Sequence, residues 1–126
     1  MNIVNIVLWV IQGLLALAFL LAGFMKAFMP LAVLKKNMPW VNDVPAAFVR
    51  FIGVAELLAA IGLIAPATTG IMPWLTVAAA VGLVVVMLSA SVFHASRREN
   101  ANIGMNVVLL LLAAFIIVGR LALAPL

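Results

Sequence analysis

The chain has no cysteine and no tyrosine, only three acidic residues and a single histidine. The missing thiols exclude disulfide exchange, cysteine-ligated iron–sulfur clusters and thiolate nucleophiles within this chain. One His and three acids are too few for an expected zinc site, which needs several ligands of those types. Charge is scarce altogether, at 8% of residues, while 69% are hydrophobic. A soluble domain carries roughly 25% charged residues. Seven Lys and Arg give a net charge of +4. Spread over so apolar a chain they form no groove for nucleic acid, so none is expected as a partner. The fitting solvent is a bilayer, where a spanning helix needs ~20 mostly apolar residues.

Four runs meet that requirement, and the pattern predicts helices over about 3–29, 46–65, 73–93 and 103–123. The first run starts at Ile3 without a preceding Lys or Arg and exceeds the ~7–15 apolar residues of a signal peptide. We read it as a retained helix that Pro30 stops. Residues 30–47 form the longest connection, in which Leu31, Val33 and Leu34 adjoin Lys35, Lys36 and Pro39-Trp40. A basic segment with an aromatic anchor suits the headgroup layer. Pro66-Ala-Thr-Thr-Gly70 reads as a tight polar turn, and His94 to Asn102 is the most polar stretch. No second domain or internal repeat is evident. Short connections favour antiparallel neighbours. The expected fold is therefore all-α, an integral membrane four-helix up-down bundle forming one transmembrane domain over residues 1–126.

Basic residues set the expected orientation. Lys26, Lys35, Lys36, Arg50, Arg97 and Arg98 collect on the side of loops one and three, against Arg120 on the other. The positive-inside bias then puts those loops in the cytoplasm and both termini outside.

Ionisable residues inside membrane helices are costly and need an explanation. Glu56 is the clearest, six residues past Arg50, or ~9 Å along a helix. Gly53, Glu56 and Ala60 share one helical face. Matching stripes run through Gln12, Phe19, Gly23 and Lys26, through Ala80, Met87 and His94, and through Asn106, Ala113 and Arg120. By depth, Lys26, Arg50, Glu56, Ser91, His94 and Asn106 all fall in the cytoplasmic half. They form the candidate site: a polar pocket in which Lys26 neutralises Glu56 while His94 and Asn106 supply hydrogen bonds. Such a pocket suits the polar head of a lipophilic molecule such as a quinone, and His94 and Glu56 can exchange protons. The plainer explanations are a structural ion pair for Lys26–Glu56, snorkelling for Lys26 and Arg50, an interfacial place for His94, an interhelical hydrogen bond for Asn106, and an interface anchor for Arg120.

These residues together resemble the DoxX-like family of small four-helix bacterial membrane proteins. The resemblance rests on Gly23-Phe-Met-Lys26, Phe51-Ile-Gly-Val-Ala-Glu-Leu57, Gly62-Leu-Ile-Ala-Pro66, Pro73-Trp-Leu75, Ala79-Ala-Val-Gly-Leu83, His94-Ala-Ser-Arg-Arg-Glu99 and Asn106. It implies a bacterial cytoplasmic membrane location. It also implies a connection to quinones or lipids, because the namesake resembles the membrane subunit of a thiosulfate:quinone oxidoreductase and other relatives are linked to redox-stress complexes. The leading expectation is a subunit that binds a lipophilic molecule beside a membrane or soluble redox partner, rather than an enzyme on its own. The alternatives are a non-catalytic membrane scaffold and a small-solute or proton carrier acting as a homo-oligomer.

Overall fold

A computed structural model describes residues 2–126. The described residues contain no strand. Four long helices cross the molecule: α1 (Ile3–Phe28), α3 (Ala46–Thr69), α4 (Trp74–Ser96) and α5 (Asn100–Val118), with a short α2 (Leu31–Asn37) after the first. A 3-10 turn, Pro39–Asp43, leads to α3, and a π-helical turn, Gly119–Leu123, extends α5. Each of the four long segments is apolar and long enough to span a bilayer, and less than a third of each span is buried within the protein. The remaining apolar faces therefore need lipid, not water, as their partner.

Helix ends follow local chemistry. Asn2 caps α1, its side chain accepting from the Asn5 amide at 2.8 Å. Pro30 ends α1 and opens α2, leaving Met29 extended between them. The connection expected over 30–47 is thus a helical turn and a 3-10 turn. Its Leu34 and Val41 are buried with Val49 at the start of α3.

The turn expected at Pro66 is not there. α3 continues to Thr69 and ends at Gly70, whose φ of 72° is the left-handed conformation that favours glycine. Proline inside a helix removes one amide and leaves the carbonyl four residues earlier unmatched. Here that carbonyl belongs to Gly62, and the Thr76 hydroxyl of α4 donates to it at 3.0 Å. Membrane helices tolerate proline when a neighbour supplies such a donor. α4 and α5 likewise run further toward each other than their apolar runs suggest, to Ser96 and from Asn100.

Successive long helices are antiparallel: α1 packs along α3, α3 on α4 and α4 on α5. The closest approach is between α1 and α3. A Cβ on Gly53 would lie 2.4 Å from the Ala27 amide nitrogen, and one on Gly23 would lie 2.8 Å from the Gly53 carbonyl. Backbone meets backbone there, which is what paired small residues permit in membrane helices. Phe19, Leu63, Leu83, Met87 and Ile116 fill the centre of the bundle. This arrangement brings the end of α1, the start of α3, the end of α4 and the start of α5 to one end of the molecule.

Candidate functional site

Lys26 lies in the last turn of α1, and Glu56 is one turn beyond Gly53 on α3. The glycine contact fixes their separation. Lys26 Nζ donates to Glu56 Oε1 at 2.7 Å, with Glu56 2% exposed. The other carboxylate oxygen, Glu56 Oε2, is buried and has no partner. A buried carboxylate oxygen without a donor is costly, which makes it a candidate position for a further group.

A cavity of about 470 Å³ opens beside this pair. Its polar lining includes Lys26, Glu56, Ser89, His94, Asn102 and Asn106, and its apolar lining includes Phe48, Phe51, Ile52 and Val85. Met38, between α2 and the 3-10 turn, and Trp40, within that turn, line it as well. Asn106 Nδ2 is buried without an acceptor. The cavity thus holds one unmatched acceptor, on α3, and one unmatched donor, on α5. Phe51 and Met105, both in its wall, are 70% and 60% exposed on the outside of the bundle, so the cavity gives sideways onto the lipid face.

Of the six residues expected to cluster, four line this cavity: Lys26, Glu56, His94 and Asn106. Arg50 does not. Its Nη1 donates to the Lys26 carbonyl at 2.9 Å, satisfying one of the free carbonyls at the end of α1. Ser91 does not either, because its hydroxyl bonds back to the Met87 carbonyl at 2.8 Å, as serine in a helix often does.

His94 is not simply interfacial. It is buried, edge-on to both Trp40 and Phe93. Its Nδ1 lies 2.9 Å from Glu99 Oε1. Glu99 also accepts from Arg97 Nε at 2.9 Å, and Arg97 Nη1 donates to Asp43. The hydrogen bond from His94 first, with a smaller contribution from that of Arg97, holds the Glu99 carboxyl below its ordinary range, although burial pushes the other way. The bond to Asp43 first, and that to Glu99 second, hold the Arg97 guanidinium above its ordinary value. The result is a chain of polar groups from the 3-10 turn through the α4–α5 connection to the cavity wall. Glu99 and Asp43 were missing from the expected cluster. The five-residue step from His94 to Glu99 was a usable signal once α4 is known to end between them.

Arg120 also departs from expectation. Instead of extending outward as a surface anchor it is 3% exposed. Its Nε donates to Gln12 Oε1 at 2.7 Å, and Gln12 Nε2 donates to the Leu63 carbonyl at 2.7 Å. That network joins α1, α3 and the π-helical turn at the end opposite the cavity.

Among the described residues no group of His and acidic side chains could hold a metal ion. No curated protein and no solved structure matches the chain. The family model described as the DoxX-like family matches residues 10–116, a span that includes every residue lining the cavity.

Proposed function

The chain belongs to the DoxX-like family of membrane proteins, and from that premise we propose that it is a membrane subunit binding a lipophilic molecule with an oxygen-bearing head, such as a quinone. The observation that carries this reading is the pairing of two unmatched atoms in one cavity, Glu56 Oε2 and Asn106 Nδ2. A quinone carbonyl accepts a hydrogen bond from the Asn106 amide or the Lys26 ammonium. A hydroquinone hydroxyl donates to the free Glu56 oxygen. The volume lies within the ~300–1,000 Å³ of small-molecule sites, which are mostly apolar with a few placed polar groups. The lateral opening past Phe51 and Met105 leaves an isoprenoid tail in lipid. His94 and Glu99 offer protons a route between the cavity and the aqueous connection.

In this reading the cavity occupies the cytoplasmic half of a bacterial inner membrane, both termini lie outside, and a redox partner completes the complex. The test is chemical. Protein purified in mild detergent is extracted with organic solvent and the extract assayed for quinone. The expected result is quinone on the wild type and severalfold less on a folded Glu56→Gln variant. Protein that carries no lipophile but retains a soluble enzyme would favour the scaffold reading instead.

A further inference from the structure

The guanidinium of Arg120 is buried in a membrane-spanning segment with no acid of this chain beside it. Asp43, Glu56 and Glu99 are the chain's three acids. All three pair at the opposite end, with Arg97, Lys26 and the His94–Arg97 couple. Among the described residues Arg120 has only neutral partners: Gln12 Oε1 at 2.7 Å, Asn5 Oδ1 at 2.6 Å and the Ala124 carbonyl at 3.0 Å. The Trp9 ring lies beneath it, its centroid 5.3 Å from Cζ. Arg120 Nη2 is buried and donates to nothing among the described residues. A buried charge answered only by dipoles is expensive, and intramembrane arginines tend to mark sites.

Local backbone points the same way. The π-helical turn bonds the Ala124 amide to the Gly119 carbonyl at 2.7 Å, five residues back, and turns the Ala124 carbonyl onto Arg120. Such turns occur often at functional sites. Gly119 lets Leu8 of α1 approach, since a Cβ there would lie 2.4 Å from a Leu8 methyl. Arg120 sits three residues before the end of that turn, about 5 Å of helix rise. That depth is within reach of lipid headgroups.

We propose that Arg120 and Asn5 form a phosphate-binding site on the terminal side of the bundle, taking a phospholipid headgroup phosphate or free inorganic phosphate. Asn5, half-buried in the first turns of α1, is the movable wall. When its side chain rotates away, Nη1 and Nη2 together present the two-pronged edge that fits a phosphate. The phosphate supplies the negative charge that no Asp or Glu provides at this end. The site is independent of the quinone reading, which rests on the other end of the bundle.

The test uses the full-length protein in a non-ionic detergent, with melting temperature and native mass spectrometry as readouts. The probes are dioleoylphosphatidylglycerol, inorganic phosphate, and dioleoylglycerol as a lipid without phosphate. The wild type should be stabilised by phosphatidylglycerol and retain it, and should not respond to dioleoylglycerol. A matching response to inorganic phosphate would make the ligand the free anion, and its absence would make it the headgroup; either supports the site. Asn5→Asp places a carboxylate where Asn5 Oδ1 already meets the guanidinium. This variant should melt at or above the wild-type temperature without ligand, yet bind the phosphate probe tenfold or more weakly. Arg120→Lys should also bind more weakly, having lost the fork. Phosphate binding unchanged in folded Asn5→Asp, or no phosphate-dependent response in the wild type, would overturn the proposal.

Discussion

The Thr76 hydroxyl occupies the place of the amide that Pro66 lacks, donating to the Gly62 carbonyl from the neighbouring helix. Thr76 is fully buried, so its removal leaves that carbonyl with no donor. Thr76→Val should cost about 0.5–2 kcal/mol, the range of interhelical hydrogen bonds in membranes. Pro66→Ala restores an amide that can serve Gly62 from within α3. In that background Thr76→Val should cost less, and a double-mutant cycle of melting temperatures in detergent measures the difference.

A second cycle concerns the ion pair. Glu56→Ala leaves Lys26 with its charge and without its partner, whereas Glu56→Ala with Lys26→Met replaces both ions by apolar groups. An orphaned buried charge costs ~3–5 kcal/mol, while joint replacement is often close to neutral. Lys26 is 15% exposed by side chain and near the end of α1, so reaching the headgroups recovers part of that cost. The double variant should therefore melt above the Glu56→Ala single variant. Strict additivity of the two changes would mean that the contact contributes no coupling.

The pair and the helices that carry it were legible in the sequence for one reason. Intramembrane charge is so unfavourable that an acid flanked by small residues at helical spacing must face inward. The same argument failed for Arg50 and Ser91. Depth and period place a side chain near a site, but backbone carbonyls compete for its donors, and both residues found one close by. Pro66 misled for a related reason, since nothing in α3 alone reveals a donor for Gly62 fourteen residues further on, in α4. The burial of Arg120 depends on Asn5 and Gln12, more than a hundred residues away in sequence. Glu99 was hidden because the length of α4 decides whether it meets His94 or points to water.

Glu99 makes the protein's stability depend on pH at the acid end. Its carboxyl titrates below the ordinary range because the folded state holds it by hydrogen bonds from His94 and Arg97. The stabilisation is therefore complete above the ordinary glutamate range and is lost as the pH falls through the depressed folded-state value. The melting temperature in detergent should decline over that acidic interval. Glu99→Gln, which keeps an acceptor and removes the titration, should flatten the decline.

The proposed orientation in the membrane rests on the six-to-one distribution of Lys and Arg. The chain lacks cysteine, so single cysteines can be introduced without background. Those at Asn37 and Ala101 should resist an impermeant thiol reagent in intact cells, while one at Pro125 should react. The reverse pattern would place the cavity in the outer half of the membrane.

If the cavity between Glu56 and Asn106 receives a lipophilic head, Trp40 in its wall reports on that directly. Replacing Trp9 and Trp74, the chain's two other tryptophans, by Phe leaves Trp40 as the single fluorophore. A short-chain quinone is then titrated into the detergent-solubilised protein. Quenching of Trp40 should be saturable, and shifted tenfold or more to higher quinone in folded Glu56→Gln and Asn106→Leu variants. Quenching that rises linearly without saturation, equally in all three proteins, would mean the quinone only partitions into the micelle and would contradict the site.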